Sequence, residues 1–129
     1  MEKRNYKKTE LVCRENTAGE EMYIILSGSV KVYKTVNQDK IDLAVLGKDD
    51  FFGELCLLLG CPRTATVEAL ENCQMLIINK ETLLNNIQED PKLARRMLTR
   101  MAKRIKESNG IITRLEGEVS SLKIIYSAD

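Results

Sequence analysis

One segment of this chain gathers residue types suited to holding a phosphate: Phe51-Phe52-Gly53-Glu54-Leu55-Cys56-Leu57-Leu58-Leu59-Gly60-Cys61-Pro62-Arg63-Thr64-Ala65-Thr66-Val67. Glu54 to Leu59 holds good helix formers without alternation, so a short helix is expected to begin just after the turn residue Gly53. A helix start presents N–H groups that lack intrahelical partners and carry partial positive charge, and glycine lets an anion come close to the backbone. That is half of a phosphate cradle. Arg63, placed just before a strand, supplies the other half through charge-assisted hydrogen bonds, each worth roughly 1.5–3 kcal/mol. Glu54 would repel the anion, but as an acceptor-only carboxylate it suits a sugar hydroxyl, with Arg63 offsetting its charge. Taken alone, one glutamate and one arginine in a turn also fit an internal ion pair.

The elements around this segment read as short strands. Leu11-Val12-Cys13 is a brief apolar run followed by the turn chemistry of Asn16 to Glu21. Met22-Tyr23-Ile24-Ile25-Leu26 is β-branched and aromatic, Ser27-Gly28-Ser29 makes a tight turn, and Val30-Lys31-Val32-Tyr33 alternates; together they predict a hairpin. A polar stretch, Asn37 to Lys40, leads into the alternating run Ile41 to Leu46, closed by Gly47-Lys48-Asp49-Asp50. Thr64 to Leu70 and Gln74 to Ile78 return to strand character after the short helix. Strands at such regular spacing predict a sandwich or a barrel. Asn79 is a candidate N-cap for a helix over Lys80 to Gln88, and Asp90-Pro91 a second cap with proline at the first helical position.

Composition narrows the chemistry. The chain has 129 residues, enough for one sizeable core plus a tail helix, and 20 basic against 19 acidic side chains give no global field to recruit a polyanion. Histidine is absent, which removes the commonest metal ligand and general base and excludes Ser-His-Asp and Cys-His sites. Cys13, Cys56, Cys61 and Cys73 lack CxxC spacing, and three of them sit among apolar neighbours, so they read as small hydrophobes rather than disulfide partners or iron–sulfur ligands. No apolar run approaches the roughly 18 residues of a membrane span, and Met1 to Lys7 lacks a signal-peptide core, so a cytoplasmic location without membrane association is expected. An enzyme is not expected, since neither a nucleophile–base pair nor a metal set is visible.

The segment as a whole resembles the phosphate-binding cassette of the cyclic-nucleotide-binding domain family, found in catabolite-activator-like regulators, protein kinase regulatory subunits and cyclic-nucleotide-gated channels. The family pattern Gly-Glu-Leu-Ala, a short apolar stretch, then Pro-Arg-x-Ala-Thr-Val is met at Gly53, Glu54, Leu55, Pro62, Arg63, Ala65, Thr66 and Val67, with Cys56 where alanine is usual. The likeness extends upstream through Gly19, Tyr23 to Val30 and Gly47, and covers roughly residues 6 to 88. It implies a mainly β fold with helices: an antiparallel, jelly-roll-like β-roll over residues 1–90 with a short cassette helix, and a long C-terminal helix over 91–129 within the same domain. By the same resemblance, Glu54 would bind the ribose 2′-OH, Arg63 the cyclic phosphate, and the amides near Leu55, Cys56 and Ala65 would complete a cradle opened by Gly53. Thr64, a hydroxyl residue after the arginine, would admit cGMP as well as cAMP. The ligand is thus cAMP or cGMP, with no cofactor or metal.

The last helix carries a second signal. Leu98, Met101, Ile105, Ser108, Ile112, Leu115, Val119 and Leu122 step by threes and fours, a heptad seam interrupted at Ser108, with Glu118 and Lys123 flanking it. A parallel coil with a second copy is the economical partner, and a lone helix folded back on its own domain is the simpler alternative. Asn109-Gly110 mid-helix predicts a kink or hinge, glycine costing roughly 1 kcal/mol there. Family members couple ligand to output through this helix, so residues from Pro91 onward would act as a lid, with Met101, Arg104 and Ile105 toward the base. With nothing after Asp129 to hold a recognition helix, DNA binding is expected only if the chain is a fragment of a transcription regulator. A separate effector protein, or a ligand-free scaffold working through the coil, remains open at this point.

Overall fold

Why the strands pair as they do follows from one nested pattern. The computed structural model describes residues 2–116, with side chains to residue 107. Eight strands lead the chain: β1 (Glu2–Tyr6), β2 (Leu11–Cys13), β3 (Glu21–Ser27), β4 (Val30–Val36), β5 (Asp39–Leu46), β6 (Phe51–Phe52), β7 (Thr66–Ala69) and β8 (Cys73–Asn79). The helix α1 (Glu54–Leu59) interrupts them, and α2 (Lys80–Glu89) and α3 (Pro91–Glu116) follow. β4 pairs with β5, β3 with β6, β2 with β7 and β1 with β8, all antiparallel, as though one long hairpin had been rolled up. Rolling brings β3 beside β8 and β4 beside β7, giving two four-stranded sheets, β1-β8-β3-β6 and β2-β7-β4-β5. This is a jelly-roll arrangement.

The inner faces of both sheets supply the core: Tyr23 and Ile25 from β3, Val30 from β4, Val67 and Ala69 from β7, and Cys73, Met75 and Ile77 from β8, with Cys13, Leu46 and Phe52. Their period-2 spacing is that of strands with one face inward. β3 is an interior strand, and Met22 on its opposite face is buried as well. An element covered on both faces reads as a continuous apolar run, which is why Met22 to Leu26 shows no alternation.

The expected hairpin of β3 with β4 is corrected. The two strands lie in different sheets, and the chain crosses between them at Gly28. Gly28 sits at φ +90, packed so tightly that a Cβ would come within 2.6 Å of the Asn72 carbonyl oxygen and 2.7 Å of the Cys73 sulfur. A local turn signal marks a change of direction, not the strand's partner. The true hairpin is β4–β5, turning at Asn37 and Gln38, both at positive φ as a tight two-residue turn requires. Sequence reasoning also missed β1, whose polar residues gain their strand form by pairing with β8, and the two-residue β6.

The chain divides into two compact units, Met1–Asn85 and Asn86–Asp129. The first is the β-roll with α1 and the start of α2. There the Asn79 side-chain oxygen accepts from the Thr82 N–H at 2.8 Å, the expected N-cap of α2. In the second, the Asp90 carboxylate accepts from the Lys92 N–H at 3.1 Å, with Pro91 opening α3. The α3 span runs on through Asn109-Gly110.

Candidate functional site

The site forms where two chain segments cross between the sheets. Residues 14–20 carry the chain from β2 to β3, and residues 53–65 carry it back from β6 to β7. Because β2 pairs with β7 and β3 with β6, the two crossings must run side by side. They are tied together: the Asn16 N–H donates to the Arg63 carbonyl, and the Arg63 N–H donates to the Thr17 carbonyl, both at 2.8 Å. The Glu15 N–H donates to the Thr66 hydroxyl at 3.0 Å just beyond. The backbone of Arg63 is thereby held in strand-like register before β7 begins.

Gly53 is the N-cap of α1 at φ +85, ψ +4, a left-handed conformation that L side chains seldom adopt. It also has no room for one, since a Cβ would lie 2.8 Å from Arg63 Nη1 and 3.0 Å from the Glu21 carbonyl oxygen. α1 spans the expected Glu54–Leu59 and closes on Gly60, whose N–H donates to the Cys56 carbonyl at 2.9 Å. It lies against β3 and buries Cys56 and Leu57. Glu54, at the head of the helix, is buried, while Leu55 is exposed.

Arg63 is 6% exposed, an uncommon burial for a guanidinium. Its Nη1 donates to the Glu21 carbonyl at 2.8 Å, and its Cζ lies 5.4 Å from the centre of the Tyr23 ring. Tyr23 is stacked on Phe52, its cross-strand partner, with ring centres 4.9 Å apart and planes at 16°. On another side Gly19 closes in so far that any Cβ there would collide with Arg63 Nε, Cζ and Nη2. Burial pushes the Tyr23 hydroxyl well above the ordinary tyrosine range, the nearby Cys13 adding to the shift and Arg63 opposing it. Burial likewise raises the Cys13 thiol, against the pull of Arg63 and of its hydrogen bond with Tyr23. Both groups are neutral at physiological pH, so neither offsets the charge of the Arg63 guanidinium.

The sequence-derived residues are therefore distributed as follows. Gly53 and Arg63 meet directly, Glu54 and Cys56 are buried in the same α1 turn, Thr64 is exposed, Ala65 is half-buried, and Leu55 faces outward. Sequence reasoning had noted Gly19 and Tyr23 only as parts of a pattern and gave neither a role; their proximity to Arg63 comes from strand crossing. No local signal reveals the Glu21 carbonyl. Among the described residues no cluster of Cys, Asp or Glu is arranged to hold a metal ion. Also among them, no helix is long and apolar enough to cross a membrane. The four cysteines are free thiols.

Comparison with known proteins places this geometry. Residues 3–90 match the family model described as the cyclic nucleotide-binding domain, and the chain belongs to that family. The catabolite activator protein of Thermus thermophilus, a solved structure, superposes with a TM-score of 0.80 at 27% identity, over 89% of this chain and 55% of that one. A cAMP-dependent protein kinase regulatory subunit of Candida albicans is 40% identical over 75 residues, 58% of this chain and 16% of that protein. A cGMP-dependent protein kinase of Plasmodium berghei is 34% identical over 90 residues, 69% of this chain and 10% of that protein. The chain thus spans about half the length of the catabolite activator protein and a far smaller share of the two kinase proteins.

Proposed function

We propose that this chain is a regulatory sensor that binds a cyclic nucleotide, cAMP or cGMP, in the crossing formed by Gly53 to Ala65, and that it binds rather than catalyses. The observation that carries the reading is the placement of Arg63, a buried guanidinium seated against Gly19 and Gly53 at the start of α1. An arginine kept in a low-dielectric site is poised for a bidentate, charge-assisted contact with a phosphate. The amides of Leu55, Cys56 and Ala65 complete the cradle, and the Glu54 carboxylate accepts from the sugar 2′-OH. The exposed Thr64 hydroxyl, next to Arg63, is the group that admits a guanine beside an adenine.

Output runs through α3. Its described side chains fall on two faces: Leu93, Ala94, Met97 and Met101 are buried or half-buried, whereas Leu98 and Ile105 are 67% and 60% exposed. The seam's remaining residues, from Ser108, lie outside the described side chains. Two exposed seam residues on one stripe favour a homodimer through α3, with nucleotide shifting the balance between helix arrangements by its differential affinity for them.

Isothermal titration with cAMP and with cGMP tests the reading. Micromolar or tighter binding that Arg63→Ala weakens by roughly 10–100-fold is expected, from the loss of charge-assisted bonds. Thr64→Ala is expected to weaken cGMP selectively. Light scattering with and without nucleotide, on the wild type and on Leu98→Glu with Ile105→Glu, tests the dimer. No heat with either nucleotide, with a dimer retained, would leave the ligand-free scaffold as the function.

A further inference from the structure

The cradle holds more than the residues that would touch a nucleotide. Arg63 gives Nη1 to a backbone carbonyl, is crowded by Gly19 and Gly53, and has the Tyr23 ring beneath its Cζ at 5.4 Å. Tyr23 is itself immobilised: it is 4% exposed and stacked on Phe52 at 4.9 Å. A buried ring at this distance attracts a guanidinium through its quadrupole and also limits where its plane can lie. A long side chain otherwise loses considerable rotamer entropy when it is fixed by a ligand.

Resting on the nucleotide-binding reading above, we infer that Tyr23, braced by Phe52, is a positioning residue for Arg63. It orders the guanidinium before the phosphate arrives, so that ligand binding does not bear the cost of ordering it. Tyr23 touches no ligand; it acts through Arg63. Its ring performs this task, and its hydroxyl does not. Tyr23→Phe therefore keeps the effect, and substitutions that remove the π face abolish it.

The test has two arms on the full chain. In the nucleotide-free protein, the Arg63 Nε–Hε resonance is expected to be resolved, slow to exchange and shifted upfield by the ring current. That signature is kept in Tyr23→Phe and lost in Tyr23→Leu. In titrations with cAMP, Tyr23→Phe is expected to bind within about 3-fold of wild type and Tyr23→Leu about 10-fold more weakly, the size of the cost of ordering one long side chain on binding. In an Arg63→Lys background, which lacks the planar fork, the Tyr23→Leu loss should shrink to under about 3-fold. Should Tyr23→Leu fail to fold, Tyr23→Met fills similar space without a π face and is held to the same outcomes. Wild-type-like affinity in a folded Tyr23→Leu or Tyr23→Met, or an equal loss in both Arg63 backgrounds, overturns the positioning role and leaves nucleotide binding standing. A wild-type chain that binds no nucleotide overturns both, and is told apart by the wild-type titration alone.

Discussion

Gly19→Ala is the substitution whose consequence the structure specifies most directly. Gly19 is not among the glycines at positive φ, so alanine can adopt its backbone conformation without left-handed strain. The whole cost lies in space, because the new methyl group would occupy the position of the Arg63 guanidinium. Arg63 must then leave, forfeiting its bond to the Glu21 carbonyl and its contact with Tyr23. A hydrogen bond from a charged donor is worth about 1.5–3 kcal/mol and a desolvated cation–π contact about 0.5–2, so the loss is about 2–5 kcal/mol. In a chain of 129 residues this corresponds to a melting temperature roughly 7–18 °C lower. Urea and thermal denaturation followed by far-ultraviolet circular dichroism measure it. The decisive comparison is the same substitution in an Arg63→Ala background. There the obstruction is gone, and Gly19→Ala should be neutral or stabilise by about 0.5 kcal/mol through the unfolded chain. An equal cost in both backgrounds, or none in the wild type, would refute the placement of Arg63 against Gly19.

Gly28→Ala carries both left-handed strain and collisions with the Asn72 carbonyl and Cys73, so a loss of about 2–4 kcal/mol is expected in urea denaturation, with no change in thiol count. A bulky disulfide reagent should modify Cys61 in the native protein and reach Cys13, Cys56 and Cys73 only on unfolding, since those three are buried and Cys61 is partly exposed; mass spectrometry assigns the sites. Burial raises the folded-state pKa of the Cys13 and Cys73 thiols and of the Tyr23 hydroxyl, so the folded chain holds these protons more tightly than the unfolded one. Their contribution to stability is full below the ordinary thiol range near 9 and is lost as the pH rises from there through the tyrosine range. Urea midpoints under reducing conditions from pH 8 to 11 should fall accordingly, and Tyr23→Phe should flatten the upper part of that decline.

Much of the candidate site was legible because its chemistry is local. The bounds of α1, the cap at Asn79, the proline opening α3 and the Gly53-to-Val67 pattern each rest on residues within a few positions of one another. Local rules of capping, helix propensity and close backbone approach suffice there. The pairing of strands was not legible, because β3 finds its partners in β6 and β8, 27 to 58 residues onward, and a turn signal at Ser27-Gly28-Ser29 carries no information about them. β1 was invisible for the same reason, its polar residues being ordered only by β8.

The sequence by itself singled out the residues proposed to hold the ligand: one arginine, one glutamate and a glycine at a helix start, in a chain without histidine. Only the tertiary structure decided what surrounds that arginine. Nested antiparallel pairing forces residues 14–20 and 53–65 to cross side by side, and the crossing puts Gly19, the Glu21 carbonyl and the Tyr23 ring around Arg63, 40 to 44 residues away along the chain. Contacts at that separation arise from closing the roll, a property of the whole set of strands that no short segment encodes.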